Sequence, residues 1–117
     1  MGFLDRFKIG EDKSAEEWFS EGLSHFKEEN YKKANKCFDK ALKQDSGNLE
    51  AWFNKGIALS ELEKYEDSKK CFDEILKTNP EHSEAWYRKA LALDKLGRYD
   101  VAINFYDEAM KIDPEYL

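Results

Sequence analysis

The chain has 117 residues, enough for one domain, and combines 41% hydrophobic and 15% aromatic content with 38% charged residues, which describes a real core inside a heavily charged exterior. No apolar run approaches the roughly 20 residues that a spanning helix needs. The net charge of −6, with Lys32, Lys33 and Lys36 interleaved among Glu28, Glu29 and Asp39, excludes the clustered basic footprint from which nucleic-acid binding draws most of its affinity.

Residues 1–13 form an N-terminal extension in which Phe3, Leu4, Phe7 and Ile9 alternate with Asp5, Arg6 and Lys8. This pattern suits a short amphipathic turn, read as a docking arm or a disordered tail ahead of a weak surface anchor. Gly2 is placed as in an acylation signal, but Arg6 stands where Ser or Thr is wanted.

From residue 14 onward the chain repeats itself. Trp18, Trp52 and Trp86 are 34 residues apart, as are Tyr31, Tyr65 and Tyr99, and Phe38, Phe72 and Tyr106. Gly22, Gly56 and Ala90 form another column, followed by Ala34, Ser68 and Ala102, then Ala41, Ile75 and Ala109. Such a period means units that bury their apolar faces only against their neighbours, and three is about the minimum for a stable stack.

Ser14-Ala15-Glu16-Glu17 reads as a capping box, so the first helix begins at about residue 15 and runs to about Glu28. Glu29-Asn30 turns the chain, and Tyr31 opens a second helix with an inward stripe of Ala34, Phe38, Ala41 and Leu42. The second repeat gives helices over about 50–62 and 65–77, and the third over about 84–96 and 99–111. Gly97 is expected to end a helix in the left-handed conformation, and Pro80 and Pro114 lie just past helix ends. A mid-helix glycine costs roughly 1 kcal/mol against alanine, so Gly22 and Gly56 imply close approach of paired helices, with tryptophan and phenylalanine filling the wedges beside them.

These columns resemble the tetratricopeptide repeat over residues 15–116, with repeats of about 15–48, 49–82 and 83–116. Lys55 and Lys89 depart from the family's usual leucine, and Ser46 from its usual proline. The resemblance implies an all-α, right-handed solenoid of three antiparallel helix pairs. It also implies a non-catalytic protein-interaction module, a scaffold or adaptor, whose first helices line a concave groove for a peptide of a partner protein.

Residues one, two and five places after each tryptophan leave the tryptophan side of the helix and face that groove. They are an aromatic row of Phe19, Phe53 and Tyr87, a polar row of Ser20, Asn54 and Arg88, and an aliphatic row of Leu23, Ile57 and Leu91. Such a surface suits apolar anchors of a peptide with Asn54 and Arg88 on its backbone or a carboxylate; the competing reading is that the aromatics pad the stack. Co-chaperone members of the family clamp a chaperone tail with Lys, Asn, Asn, Lys and Arg. The matching positions here are Phe19, Leu23, Asn54, Glu84 and Arg88, so only Asn54 and Arg88 persist and Glu84 brings the wrong charge.

His25 falls in the inward stripe of its helix as a core residue, and His82 in the turn after Pro80. Neither has a second ligand at metal-site spacing, and no phosphate loop or nucleophile motif occurs, so no cofactor, metal or catalysis is expected. Cys37 and Cys71 share one column, where repeat spacing on the order of 10 Å forbids a bridge; they read as reduced packing residues of a cytoplasmic protein. The last helix is more apolar than its predecessors, with Ile103 where Asn35 and Lys69 stand, Phe105 for Cys37 and Cys71, and Ile112 for Gln44 and Thr78. Together with Tyr106 and Met110, these residues form an apolar end that a further helix of a longer chain, the Phe3, Leu4 and Phe7 arm of a neighbouring molecule or the same end of a second copy would cover, with a homo-oligomer through the C-terminal repeat the favoured reading.

Overall fold

The computed structural model describes residues 13–116. Six helices follow in order: α1 Ala15–Lys27, α2 Tyr31–Gln44, α3 Leu49–Glu61, α4 Tyr65–Thr78, α5 Ser83–Lys95 and α6 Tyr99–Ile112, with a single 3₁₀ turn at Pro114–Tyr116. Each helix packs on its neighbours in sequence, which makes three antiparallel pairs stacked as an all-α solenoid.

The first helix of each pair starts at one repeated position. Ser14 Oγ accepts from the Glu17 N–H at 3.1 Å while Glu17 accepts from the Ser14 N–H at 3.0 Å, completing the box read from the sequence. Asn48 caps α3 by accepting from the Ala51 N–H at 3.0 Å. The third member of the column is His82, whose Nδ1 accepts from the Ala85 N–H at 3.1 Å. His82 is therefore the N-cap of α5 rather than a bystander in the turn.

The exits repeat as well. Glu29, Glu63 and Gly97 take positive φ of 60°, 61° and 79°. The next residues, Asn30, Lys64 and Arg98, return N–H bonds of 2.8, 2.8 and 2.9 Å to the carbonyls of His25, Leu59 and Leu93, closing Schellman turns. Only Gly97 has the residue type that this backbone favours; the two glutamates hold it at a cost.

Within a pair, the close approach has a definite occupant. A Cβ on Gly22 would lie 2.6 Å from Phe38 Cε1, and one on Gly56 would lie 2.6 Å from Phe72 Cζ. Each glycine is the slot that receives a phenylalanine ring, and both rings are fully buried. Ser68, at the alanine column, is also buried; its Oγ donates to the Gly56 carbonyl at 2.7 Å and lies 2.7 Å from Ser60 Oγ. In the third pair Ala90 replaces the glycine and Tyr106 the phenylalanine, and the tyrosine hydroxyl donates to Asp94 at 2.9 Å. Burial, with that bond second, pushes the Tyr106 pKa well up.

Between pairs, the tryptophans tie helices to the preceding loop. Trp52 Nε1 donates to the Ser46 carbonyl at 2.9 Å and Trp86 Nε1 to the Pro80 carbonyl at 2.7 Å. The acceptor is backbone, so serine serves as well as proline at this position. The two lysines at family leucine positions cross the same seam. Lys55 of α3 pairs with Asp39 of α2, and Lys89 of α5 pairs with Asp73 of α4 at 2.7 Å. Their ammonium groups also lie over the rings of Trp52 at 5.4 Å and Trp86 at 5.7 Å, so each cation meets both an aromatic face and a carboxylate.

His25 is less satisfied than its stripe position implies: its Nδ1 is buried without a hydrogen-bond partner among the described residues and lies 3.7 Å from Glu28 Oε1. Cys37 and Cys71 are both buried and free. Burial raises the Cys37 pKa and pushes that of Cys71 from 9.0 to about 12.

Four measurements follow from this packing. Glu63→Gly should stabilise the fold by about 0.5–1 kcal/mol in urea by relieving the left-handed backbone. Gly56→Ala should destabilise it by about 1–3 kcal/mol despite its better helix propensity, because Phe72 has nowhere to go. The native state holds the Cys71 proton to about 12 while the unfolded chain releases it near 9.0, so stability should fall as pH rises above 9.0. Cys71→Ala should flatten that decline, and both thiols should react in denaturant without reductant.

Candidate functional site

The aromatic row sits at the interface between the two helices of each pair. Phe19 lies 6.0 Å from Phe38, Phe53 lies 5.8 Å edge-on to Phe72, and Tyr87 lies 5.7 Å from Tyr106. All three are half-buried. Each ring therefore has a structural partner inside its own repeat, and only its remaining face is offered outward.

The polar row is engaged locally. Asn54 Nδ2 donates to the Glu50 carbonyl of its own helix at 2.9 Å, while Ser20 is exposed. Arg88 donates from Nε and NH2 to Glu84 Oε2 at 3.4 Å each, and its guanidinium lies 5.7 Å from the Phe53 ring centre. Those bonds are long and the pair is about two-fifths exposed, so Glu84 holds Arg88 only loosely. Phe53 also stacks against the His82 ring at 5.6 Å, so the cap of α5 and Arg88 both meet the same phenylalanine across the repeat seam.

Of the aliphatic row, Ile57 and Leu91 meet in one cavity of about 300 Å³ between α3 and α5, with Ala92 beside them. Arg88 and Lys95 bring two cations to its wall, and Ser60, Glu61 and Tyr65 complete it. Leu23 and Phe19 of the first repeat lie outside this cavity. Lys95 and Glu61 were not among the sequence candidates, although each stands one helical turn, four residues, beyond Leu91 and Ile57. Tyr65 was visible as a repeated column but gave no sign that it would close a pocket.

A larger cavity of about 590 Å³ opens between α2, α3 and α4, around Trp52, Leu59 and Cys71. Its wall is mostly charged, and Lys55–Asp39, Lys77–Glu74 and Lys70–Asp67 pair within it. Such a wall already satisfies itself, whereas the smaller cavity offers an apolar floor and a surplus of positive charge. Among the described residues no group of His, Cys, Asp and Glu could hold a metal, and no helix is long and apolar enough to cross a membrane.

Of the C-terminal candidates, Ile103 and Ile112 are exposed, while Met110 is half-buried. Phe105 and Tyr106 are turned inward: Phe105 stacks on Trp86 at 5.5 Å beneath Lys89, and Tyr106 bonds Asp94.

His82→Ala should lower stability by about 1 kcal/mol through loss of the cap, and His82→Asn should restore it. A urea titration of the three proteins measures this directly.

Solved structures of similar shape are repeat proteins. The first TPR of Spaghetti (RPAP3), bound to HSP90 peptide SRMEEVD, matches with a TM-score of 0.80 and 22% identity over 86% of this chain and 80% of that one. The second TPR of the same protein, with the same peptide, matches with 0.79 and 23% over 86% and 94%. MamA 41-end from Desulfovibrio magneticus RS-1 matches with 0.84 and 24% over 96% of this chain, which spans only 63% of that structure. No curated protein sequence matches. Family models described as tetratricopeptide repeat match residues 15–48, 37–70 and 54–116, and together with the paired helices and their repeated contacts they show that this chain belongs to the tetratricopeptide repeat family.

Proposed function

We propose that this protein is a non-catalytic scaffold of the cytoplasm that binds a peptide segment of a partner protein on the face formed by Phe53, Asn54, Ile57, Tyr87, Arg88 and Leu91, with Phe19, Ser20 and Leu23 extending it. The observation that carries this reading is the cavity between α3 and α5, where Ile57, Leu91 and Ala92 form an apolar floor beside Arg88 and Lys95. A branched aliphatic side chain fits the floor, and a carboxylate next to it meets both cations.

Glu84 is displaced from Arg88 by such a carboxylate, and the long 3.4 Å contacts make that exchange inexpensive. Structural relatives bound to an HSP90 peptide support peptide binding as a use of this architecture. They do not extend to the same peptide chemistry, because Phe19, Leu23 and Glu84 stand at positions where a chaperone-tail clamp uses Lys, Asn and Lys. The ligand expected is one acidic group beside an aliphatic anchor, rather than a run of carboxylates.

Selection of a displayed library of random peptides on the folded chain tests this. Enriched sequences should pair an aliphatic residue with Asp or Glu, and Arg88→Ala with Lys95→Ala should weaken them by roughly tenfold or more, as expected for charge-assisted bonds. Leu91→Ser should weaken them independently of charge, with the melting point of the charge variant nearly unchanged. Peptides that bind both variants as well as the parent would place the binding surface elsewhere.

A further inference from the structure

The two ends of the solenoid differ in kind. At the α1 end the outward residues are polar: Glu17, Ser20, Glu21 and Ser24 line a shallow depression with Lys13, which pairs with Glu21 at 2.8 Å. At the α6 end Tyr99 is 63% exposed and Ile103 58%, with Val101 and Ile112 also exposed. The corresponding Tyr65 lines the cavity under α5, so Tyr99 is the same ring without a cover.

The ion pairs between repeats say what a cover must carry. Asp39 meets Lys55 and Asp73 meets Lys89, each time across a seam. The next member of the aspartate column is Asp107 on α6, which is exposed and has no ion-pair or hydrogen-bond partner among the described residues. A cover for α6 should therefore bring large apolar groups and a cation. Stacking α1 of a second copy on α6 fails both tests, because its lysine column holds Glu21 and its outer face is polar. Two α6 faces meeting about a two-fold axis would bring Asp107 of each copy to one interface, where the lysine of α6, Lys111, already pairs with Glu108 at 3.5 Å.

One part of the chain outside the repeats has both properties. Phe3-Leu4-Asp5-Arg6-Phe7-Lys8-Ile9 supplies four large apolar side chains and two cations against one acid. We propose that the outward face of α6 is a docking site for residues Phe3–Ile9 of a second copy of this chain. Their apolar side chains cover Tyr99 and Ile103, which share one side of α6 with Asp107 at successive steps of four residues, and Arg6 or Lys8 reaches Asp107. The contact is between molecules: a docked Phe3–Ile9 leaves Gly10, Glu11 and Asp12 as the tether to Lys13, about 10 Å of chain, whereas α2 to α5 lie between α1 and α6. The interaction is independent of the groove, which lies on other residues.

Sedimentation velocity of the full chain up to high micromolar concentration tests the proposal. The parent should associate with rising concentration, and Phe3→Asp with Phe7→Asp, or Ile103→Asp alone, should remain monomeric with unchanged helical content. A synthetic peptide of residues 1–12 should shift the methyl resonances of Ile103 in the Phe3→Asp, Phe7→Asp protein, and Asp107→Lys should weaken its binding by roughly threefold or more, the scale of an exposed ion pair. Undiminished association of the Phe3→Asp, Phe7→Asp protein would show α6 packing on α6 and overturn the proposal. A parent chain that stays monomeric throughout, or a peptide that leaves Ile103 unmoved, would overturn it as well.

Discussion

The first two repeats each rest on a phenylalanine ring lying where a glycine has no side chain. Phe38 fills the space over Gly22 and Phe72 the space over Gly56, at distances that leave no room for even a methyl group. The two helices of a pair are drawn together there, and burial of the ring offsets the helix propensity that each glycine gives up. The third repeat solves the same problem differently. Ala90 allows less approach, and its partner Tyr106 remains half-buried with its hydroxyl bonded to Asp94.

Once a pair is set, neighbouring pairs are joined by contacts that mix apolar cover with charge. The tryptophan indoles fasten each new helix to the loop before it, and lysines at positions usually filled by leucine set their ammonium groups over those indoles while pairing with aspartates of the previous repeat. A leucine would give only the apolar part of this contact. The lysine adds a sign, and a seam with a sign distinguishes a correct neighbour from a wrong one. The same ladder makes the two ends of the solenoid unequal, since the aspartate column continues to α6 while the lysine column becomes glutamate in α1.

The face between α3 and α5 carries a second kind of polarity. Its aromatics serve the stack as well as the surface, because each already touches a ring of the paired helix. What remains free to change partners is the weakly held Arg88 and the nearby Lys95, set beside aliphatic side chains that water covers poorly. The proposed ligand, one acidic group beside an aliphatic anchor, rests on this apolar floor with two cations at its edge, and is a narrower preference than the fold alone implies.

The repeat period, the six helices, the Ser14 cap and the Gly97 exit were legible from residues alone, because a recurring column forces the same local geometry wherever it recurs. Helix bounds differ from the sequence reading by a residue or two, and Ala34, Phe38, Ala41 and Leu42 are the buried stripe of α2. His82 shows how the column outranks the residue type: histidine is an unusual cap, yet it stands 34 residues after Asn48 and does the same work. Glu29 and Glu63 likewise share a left-handed column with Gly97, which residue preference alone would not assign to glutamate. Tertiary structure alone decided which groove candidates meet. Ile57 and Leu91 share a cavity with Lys95 and Tyr65, while Asn54 turns back on its own helix and Phe105 and Tyr106 turn inward. Side-chain partners across a seam depend on helix offset and ring packing between repeats, and a one-dimensional period fixes the register of the columns without fixing those distances.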